Sequence, residues 1–401
     1  MSDSQNEKWY WLVGGGPMQV PILKYLHENG YKIILTDGNA DCPGKKIADL
    51  FYTLDIHDEQ AHLQLIPQVQ IEVKGKLAGV SCIATDSHKT VAALAKELGL
   101  PGISSQLSDL IGDKVQLRKI LTKIDVHQPK FLSFTKSDDL DEIVTKIKST
   151  FSTDYKIIVK PLGWSASRGI KILDNTSTLR AEIDKARQVS RTGGIVIEEV
   201  IVSDGKLASE TSVETLVLNG KVNFLNMVDR IFGEDLIYFK DERVPKKLNL
   251  GVEFGHVNPS SRSKAEVDEV IKDLQTMVDH LREIGVYRNE TFILKADILF
   301  SLKGPVIIEA TPRTSGGWDS SFSSLMRGLR IQELAVEISL GNEIFVEDWS
   351  TKNREFVAVV SDATSDFIDC LGRTFYGGRN CNDANSAVSS ALDSRDANQA
   401  L

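Results

Sequence analysis

Short apolar runs alternate with amphipathic segments over the first hundred residues of the chain. The predicted strands are 9–13, 31–36 and 79–85, and the predicted helices are 19–29 and 89–98. Apolar residues at three- and four-residue spacing identify the helices, and Gly30 and Gly99 end them. Regular strand–helix alternation predicts a parallel sheet that helices cover on both faces.

The pattern changes after residue 112, where strands and helices no longer alternate regularly. The predicted helices are 113–123, 138–149, 177–189, 264–284 and 331–340, and the predicted strands are 130–134, 155–160, 169–173, 194–202, 209–218, 221–228 and 253–257. The sequence from 382 onward is rich in Ser, Ala, Asn and Asp, which predicts a disordered tail. We therefore expect four parts, at 1–112, 113–202, 203–381 and 382–401.

Two apolar strands near residue 300 each carry one acid. Leu294–Phe300 contains Asp297, Val306–Arg313 contains Glu309, and a turn at 303–305 joins them. A hairpin about this turn places the two carboxylates side by side, where burial is costly without a compensating cation. Mg2+ typically takes one or two protein carboxylates together with substrate phosphates. The hairpin indicates a magnesium–nucleotide site, although an edge hairpin with both acids in water fits the same sequence.

A lysine and a loop of small residues end another apolar strand. Residues 157–159 lead into Lys160, and the Gly/Ser-rich loop 163–169 returns the chain to a further strand. Backbone N–H groups of such a loop approach phosphate oxygens, and a lysine supplies a point charge. The loop is not a Walker A motif, because no Gly-Lys-Ser/Thr follows it. Lys114, at a predicted helix start, is a second candidate; a flexible hairpin and a surface lysine are the alternatives.

Glu198 and Glu199 lie toward the end of the very apolar strand 194–202. Neighbouring strand residues point to opposite faces, so only one of the two faces a given pocket. A carboxylate or a backbone carbonyl here is a suitable acceptor for the amino group of adenine. A pair of solvated acids at a strand end is the alternative.

The first strand ends in three glycines at 14–16, and Asp37 ends the second strand. A dinucleotide-binding fingerprint requires G-x-G-x-x-G, but its last glycine position is Gln19 in this chain. A tight turn in a doubly wound domain explains the glycines, and its helix N-terminus also suits a carboxylate or phosphate. A nicotinamide-dependent oxidoreductase using this turn and Asp37 is the competing interpretation.

Composition and charge exclude several classes of function. The 401-residue chain is 41% hydrophobic and 26% charged, with a net charge of −9 and no dense run of Lys and Arg, which disfavours nucleic-acid and anionic-membrane binding. The N-terminus is too polar for a signal peptide, and no apolar run is long enough to span a bilayer. The four cysteines are scattered and predict neither a disulfide framework nor a zinc site. We expect a cytoplasmic protein.

The order of these features along the chain resembles the ATP-grasp superfamily. Lys114, Lys160 with its loop, Glu198-Glu199, Glu210, Asp297 and the segment 309–313 follow one another as in the biotin carboxylase, carbamoyl-phosphate synthase and amino-acid ligase branches. The resemblance extends from residue 11 to about residue 340. It implies an α/β ATP-grasp fold with an N-terminal Rossmann-like pre-ATP-grasp domain, a small α+β lid domain and a C-terminal antiparallel-sheet α+β domain.

The resemblance also implies roles for individual residues, with Mn2+ as the alternative to Mg2+. It implies an ATP site of Lys114, Lys160, Gly163, Ser165, Ser167, Gly169, Glu198, Glu199, Val200, Ile201 and Glu210; Mg2+ ligands Asp297, Glu309 and Thr311; catalytic residues Arg313 and Lys160; and an acceptor site of Arg313, Gly316, Gly317, Trp318 and Asp319. The superfamily usually has Glu-x-Asn-x-Arg at the second acid. Thr311 replaces the asparagine here, so a hydroxyl stands where an amide oxygen is expected.

The implied reaction is ADP-forming ligation of a carboxylate to an amine through an acyl phosphate. ATP and two small-molecule substrates are the implied partners, and relatives are often homodimers. Two alternatives remain: a nucleotide-binding relative without turnover, which Thr311 favours, and the oxidoreductase described above. The acceptor stays open among an amino acid, a peptide, a sugar conjugate and a polyketide-like acid. The basic segment 230–247 suits an anionic substrate, but a solvated loop explains it better.

Overall fold

The computed structural model describes residues 7–151, 156–163, 169–173, 178–205, 210–232, 253–345, 356–360 and 374–378. The predicted tail 382–401, most of the basic segment and the loop residues Ser165 and Ser167 lie outside these ranges. Three sheets account for the strands of the described residues. No helix among those residues is both long and apolar enough to cross a bilayer.

The N-terminal sheet is parallel throughout. Its strands are β1 (Lys8–Val13), β2 (Tyr31–Asp37), β3 (Leu50–Thr53) and β4 (Lys76–Ser81), and its helices are α1 (Val20–Glu28), α2 (Glu59–Glu72) and α3 (His88–Leu98). The strand order is β3-β2-β1-β4, with every pair parallel. The prediction of a parallel sheet is therefore confirmed. The hydrophobic pattern missed β3, which has only four residues, and α2, which contains Pro67 where a helix ordinarily ends.

A small antiparallel sheet follows. Its elements are α4 (Ser105–Gly112), α5 (Lys114–Lys123), β5 (Phe131–Phe134), α6 (Leu140–Thr150), β6 (Ile157–Pro161), β7 (Lys171–Leu173), α7 (Leu179–Val189) and β8 (Ile195–Glu199). The strand order is β5-β8-β6-β7. Helices α6 and α7 bury Ile143 and Ile183 against Val159 and Ile197 of the sheet, which forms a separate hydrophobic core. Strand β8, which carries the two adjacent acids, lies in the middle of this sheet.

The largest sheet is antiparallel and holds seven of the described strands. Its elements are β9 (Glu210–Leu218), β10 (Lys221–Phe232), β11 (Glu253–Asn258), α8 (Lys264–Glu283), β12 (Phe292–Ser301), β13 (Gly304–Thr311), α9 (Ser324–Met326), α10 (Ile331–Ser339), β14 (Phe356–Val360) and β15 (Thr374–Gly378). The strand order is β13-β12-β9-β10-β11-β14-β15. One wide π-helical turn, Asp319–Ser323, precedes α9.

The two faces of this sheet differ in chemistry because side chains alternate along each strand. On one face, Val213, Met227 and Ala296 join Leu274 and Met277 of α8 in the main hydrophobic core. By strand register, the opposite face carries Glu210, Ser212, Glu214, Asn226, Arg230, His256, Lys295, Asp297, Glu309 and Thr311. We call this second surface the polar face; it holds most of the residues considered below.

The N-terminal sheet and the C-terminal region are joined by buried polar contacts. The Tyr10 hydroxyl donates to Ser81 Oγ at 2.7 Å and lies 2.5 Å from Ser339 Oγ on α10. The backbone N–H of Ala84, just past β4, donates to Thr314 Oγ1 at 2.9 Å. These contacts hold the loop after β13 against the carboxyl end of the parallel sheet, the edge where open α/β sheets commonly bind ligands.

Candidate active site

The acidic hairpin forms, but its turn lies at residues 302 and 303 rather than at the predicted 303–305, because Gly304 and Pro305 already pair with β12. Strands β12 and β13 are antiparallel, and Asp297 is directly opposite Glu309 in their register. The same register places Lys295 opposite Thr311. The two carboxylates and the threonine hydroxyl therefore belong to one edge of the polar face. Asp297 is only 6% exposed, so the alternative of two acids in open water does not describe it.

Asp297 is held as a carboxylate by two cations. Its Oδ2 contacts Lys295 Nζ and lies 3.3 Å from an Arg230 nitrogen. Burial alone would raise the pKa of Asp297, but Lys295 and Arg230 outweigh that effect and lower it. Its other oxygen, Oδ1, is buried without a hydrogen-bond partner among the described residues. A buried carboxylate oxygen with no partner is costly unless a ligand supplies one.

Glu309 is paired with Lys114 from the start of α5. Asp113 caps this helix by accepting hydrogen bonds from two backbone N–H groups of its first turn, so Lys114 is the first helical residue. Lys114 Nζ lies 2.8 Å from Glu309 Oε1. Burial opposes charge on both groups, yet each favours the charged form of the other: the pKa of Lys114 is raised and that of Glu309 is lowered. The pair gives the hairpin a cation suited to phosphate.

Glu198 joins two buried cations on β6 and α5. Its Oε1 accepts from Arg118 Nε at 2.7 Å, and its Oε2 accepts from Lys160 Nζ at 2.6 Å. Burial would raise the pKa of Glu198, but Arg118 and Lys160 together lower it to about 2. Burial lowers the pKa of Lys160; Glu198 opposes this shift, and the nearby Arg118 adds to it. Arg118 also donates to the backbone carbonyls of Ile307 and Ile308, which ties the small sheet to β13.

The four residues suggested for adenine divide between two environments. The side chain of Glu198 points into the ion pairs, whereas Glu199 Oε1 accepts from the backbone N–H of Lys130 at 2.9 Å. This division follows from the alternation of side chains along β8. Val200 donates its backbone N–H to Lys156, and Ile201 is half-buried beyond it. Both carboxylates are therefore engaged by the protein, which leaves the backbone after β8 as the better adenine contact.

Glu210 and Arg230 form the next row of the polar face. An Arg230 nitrogen donates to Glu210 Oε1 at 2.6 Å and also lies near Asp297. Thr311 is buried, and its Oγ1 has no hydrogen-bond partner among the described residues. Thr311 therefore has an unused oxygen on the same strand as Glu309.

Arg313 begins the loop that links β13 to the π-helical turn. Its Nε donates to Asp86 Oδ1 at 2.6 Å, and another of its nitrogens donates to the carbonyl of Thr314 at 2.7 Å. Burial opposes charge on Arg313, but Asp86 raises its pKa. Asp86 follows β4, so the N-terminal domain positions this arginine.

The remaining acceptor-site candidates follow on the same loop. Gly316 and Gly317 are partly buried, and Gly317 and Trp318 both have positive φ angles, 67° and 77°, which turn the chain into the π-helical segment. Asp319 is buried, with Oδ1 3.2 Å from His256 Nδ1. The structure thus collects Arg313, Gly316, Gly317 and Asp319 around one loop beside the polar face.

Several residues of this site were not predicted from the sequence. Asp86 is one of many acids in the N-terminal region, and its contact with Arg313 joins residues far apart in the chain. Lys295 could have been predicted, because a lysine two positions before Asp297 in an apolar strand must point to the same face of the sheet as Asp297. Glu214 and His256 likewise lie on strands, but only the register brings them to the polar face.

The structure describes the Gly/Ser-rich loop 163–169 only at its two ends. Gly163 and Gly169 have positive φ angles of 81° and 71°, which suits the tight entry and exit of a loop. A Cβ atom on Gly163 would lie 2.9 Å from the Arg191 side chain, so a side chain there would displace that arginine. Ser165 and Ser167 lie outside the described residues, and their phosphate role stays a prediction.

The residues of the hairpin suit a divalent cation that also binds phosphate. Among the described residues no group of three or more His, Cys, Asp or Glu side chains is placed to hold a metal. The hairpin offers instead two carboxylates and a hydroxyl, with Asp297 Oδ1 and Thr311 Oγ1 both lacking partners there. Mg2+ is commonly held by one or two carboxylates and completed by phosphate oxygens and water. The donor set therefore fits a nucleotide-bound Mg2+ better than a metal bound by protein alone.

The first glycine turn has a structural use. The backbone N–H of Gly15 donates to Asp37 Oδ2 at 2.6 Å, and Asn39 donates to the other oxygen at 2.7 Å. Gln19, at the position of the missing third glycine, is buried and donates to the carbonyl of Ile83. Asp37 is thus occupied by the turn, which disfavours its use for a nicotinamide ribose.

Comparison with known proteins gives relatives of low identity over most of the chain. No protein-family model matches it. An N5-carboxyaminoimidazole ribonucleotide synthase of Staphylococcus saprophyticus is 23% identical over 340 residues, which cover 82% of this chain and 79% of that protein. A D-alanine–D-alanine ligase of Natranaerobius thermophilus is 28% identical over 182 residues, 44% of each chain.

Solved structures agree on the fold. The L-amino acid ligase of Bacillus licheniformis superposes with a TM-score of 0.70 at 15% identity and covers 98% of both chains. The biotin carboxylase domain of the Hydrogenobacter thermophilus 2-oxoglutarate carboxylase, solved with MgADP and bicarbonate, gives a TM-score of 0.64 at 15% identity, covering 89% of this chain and 75% of that one. The fold predicted from the order of motifs is confirmed. The chain therefore has the ATP-grasp fold, and its sequence is similar to those of ATP-grasp ligases.

Proposed function

We propose that this protein is an ATP-dependent, ADP-forming ligase that joins a small carboxylate to an amine through an acyl phosphate. The observation that carries the proposal is the carboxylate pair of buried Asp297 and half-buried Glu309, with Lys114 beside Glu309 and an unpartnered oxygen on Asp297. Such an arrangement is stable when a cation and phosphate complete it. Hydride transfer in an oxidoreductase does not require a carboxylate pair of this kind.

Phosphoryl transfer asks a protein mainly for positioning and for neutralisation of charge. In the proposed site Lys114 and Lys160 bind the phosphates of ATP, and Arg313 neutralises the transferred phosphoryl group or the acyl phosphate. Asp297, Glu309 and Thr311 hold Mg2+, or Mn2+ as the alternative, which when bound would neutralise charge on the phosphates. The residues after Glu199 contact adenine through their backbone, and Glu210 lies toward the ribose.

The reaction has two steps. An oxygen of the substrate carboxylate attacks the γ-phosphorus, the bond to the β-phosphate oxygen breaks, and ADP leaves. The amine nitrogen then attacks the acyl carbonyl, the bond to phosphate breaks, and one proton is released overall. No nucleophilic side chain is required, which agrees with the use of lysines, arginines and acids here. The loop 163–169 would exclude water from the acyl phosphate.

The test is ATP turnover with Mg2+ against the proteinogenic L-amino acids and small carboxylates, with ADP and AMP resolved. We expect substrate-stimulated ADP and phosphate. Glu309→Gln should reduce turnover by at least about 100-fold, the scale on which loss of an electrostatic contact to the transition state acts. Glu283→Gln, which changes an exposed acid at the end of α8, is the matched control and should leave turnover unchanged. AMP and pyrophosphate as products would refute the ligase chemistry.

A nucleotide-binding relative without turnover is the second candidate, and Thr311 is the observation that favours it. A hydroxyl is a weaker ligand than the amide oxygen found there in the superfamily pattern. If the Thr311 hydroxyl binds the metal too weakly for turnover, the protein should bind ATP but release no ADP with any substrate of the panel. Thr311→Asn would then tighten Mg2+-dependent ATP binding, measured by calorimetry, whereas an already competent site would show little change.

A further inference from the structure

Glu214 is a buried acid on the polar face to which the proposed reaction has so far given no part. It lies on β9, 1% exposed, with Lys295 opposite on β12 and Asn226 opposite on β10. Its Oε1 accepts from the backbone N–H of Ser315 at 2.7 Å, in the loop that carries Arg313. Its Oε2 is buried and has no hydrogen-bond partner among the described residues.

The cationic side chains near Glu214 are paired with other groups. Lys295 contacts Asp297, and Arg313 is paired with Asp86. Behind Asn226, an Arg327 nitrogen donates to the amide oxygen of Asn226 at 3.0 Å rather than to Glu214. Within the described ranges, no cation is therefore at salt-bridge distance from Glu214. An unpaired buried carboxylate is expensive, and a ligand cation would relieve that cost.

The position of Glu214 on the sheet indicates which substrate it lies near. Along β9, Glu210 pairs with Arg230, Ser212 is opposite Asp297, and Glu214 is opposite Lys295. Successive side chains on one face are about 7 Å apart along a strand. The acid pair therefore lies between the row of Glu210 and the row of Glu214. In-line phosphoryl transfer places the leaving ADP and the acceptor on opposite sides of the transferred group. With the nucleotide toward Glu210, the acceptor lies toward Glu214.

We propose that Glu214 binds the ammonium group of the amine substrate through its unpartnered oxygen and takes a proton from it before the amine attacks the acyl phosphate. This inference rests on the ligase function proposed above. The proton passes from nitrogen to Glu214 Oε2, the nitrogen lone pair forms the new bond to the acyl carbon, and the carbon–oxygen bond to phosphate breaks. The departing phosphate takes the second proton from the nitrogen, which leaves the neutral amide, and Glu214 returns the first proton to solvent. One proton is therefore released overall, and the step balances without a further reactant.

The electrostatics of the position agree with such a role. Burial raises the pKa of Glu214 to about 7, while the backbone of Ser315 and the charges of Lys295 and Arg313 oppose the rise. A general base is most effective when its pKa lies near the working pH. Arg327 is the further charged group on this side, and burial lowers its own pKa to about 10.

The experiment compares two nucleophiles on the full-length protein. Each carboxylate of the panel is supplied with Mg2+ and ATP, and hydroxylamine, which is largely unprotonated at neutral pH, traps the acyl phosphate as a hydroxamate. Amine-dependent ADP release is measured in parallel with amino acids as the amine. Because hydroxylamine needs no base, Glu214→Gln should leave hydroxamate formation within a few-fold of wild type. Amine-dependent turnover should fall by about 100-fold or more, the usual contribution of general base catalysis.

Glu214→Asp keeps the charge on a shorter side chain and covers the case in which the glutamine variant does not fold. It should retain hydroxamate formation and raise the KM for the amine more than the KM for the carboxylate. Infrared difference spectra between pH 6 and pH 8 give a readout without turnover: a protonated-carboxyl band should disappear as the pH rises and should shift in the aspartate variant.

Three other results would each refute the proposed role of Glu214. Equal losses with hydroxylamine and with amines would show that Glu214 supports only the structure of the site, and normal turnover with amines would remove it from the reaction. Both outcomes leave the ligase function intact. If wild-type protein forms no hydroxamate from any carboxylate, the ligase function itself is wrong, and the role of Glu214 is refuted with it.

Discussion

The cluster of Glu198 with Arg118 and Lys160 makes a strong prediction about stability. In Glu198→Gln the amide keeps most of the side-chain volume but removes the one carboxylate that these two buried cations share. The folded protein lowers the pKa of Glu198 from 4.5 to about 2, against the effect of burial. A difference of roughly 2.5 pKa units corresponds to about 3 kcal/mol of preference for the charged form. Removing one partner of a buried ion pair commonly costs about 3–5 kcal/mol.

We therefore expect Glu198→Gln to lower the free energy of unfolding by about 3 kcal/mol at pH 7. The dependence on pH follows from the sign of the shift. Because the pKa of Glu198 is lower in the folded than in the unfolded protein, its stabilisation is complete above pH 4.5 and is lost as the pH falls toward 2. The difference between wild type and variant should thus be constant from pH 7 to about 5.5 and shrink below pH 4.5.

Urea unfolding of both proteins at several pH values measures this difference. It is best followed by probes in more than one domain, because a chain of several domains need not unfold in one step. Glu142→Gln changes an exposed acid on α6, which covers the same small sheet, and serves as the control with an expected loss under 0.5 kcal/mol. A loss below 1 kcal/mol at pH 7 in Glu198→Gln, or a loss as large at pH 3 as at pH 7, would show that the ion pairs do not stabilise the fold as argued.

Three further outcomes are expected. Leu294→Ala removes a fully buried side chain from β12 and should cost about 2–5 kcal/mol in urea unfolding, whereas a small loss would mean that the core closes over the cavity. Ser263→Ala removes the cap of α8, whose side chain accepts from the backbone N–H of Glu266, and should cost about 1 kcal/mol. Lys114→Met should weaken ATP binding at least tenfold by calorimetry while the circular dichroism stays native, because it removes one charge from the phosphates; unchanged affinity would exclude Lys114 from the nucleotide site.

Hydrophobic periodicity located most of the long elements correctly. The helix predicted at 264–284 is α8, Lys264–Glu283, and the strand predicted at 9–13 is β1, Lys8–Val13. Such segments repeat one pattern over many residues, so local sequence determines them. Strand β3 and helix α2 were missed, because a four-residue strand has too few positions to show a period and α2 continues past Pro67. Packing against the rest of the sheet decides both of these elements.

The candidate site divides in the same way. A β-bulge between Asp297 and Ile298 sets the register that places Asp297 opposite Glu309, whereas the sequence alone indicated only that a hairpin brings the two acids together. The sequence also determined the order of motifs from which the ATP-grasp fold was recognised. Tertiary structure alone decided that Glu198 spans Arg118 and Lys160 and so is withdrawn from adenine. These contacts join elements far apart in the chain, and no local pattern encodes them.

The same limit applies to Glu214. Sequence identifies it as an acid in an apolar strand, which is equally consistent with an exposed side chain. Its burial, its bond to Ser315 and its unpartnered oxygen depend on three strands and a loop meeting at one place. The energy of a buried charge is set by every group around it rather than by its neighbours in sequence. The sequence therefore determined which chemical groups this protein has, and tertiary structure decided which of them are buried, paired or left for a ligand.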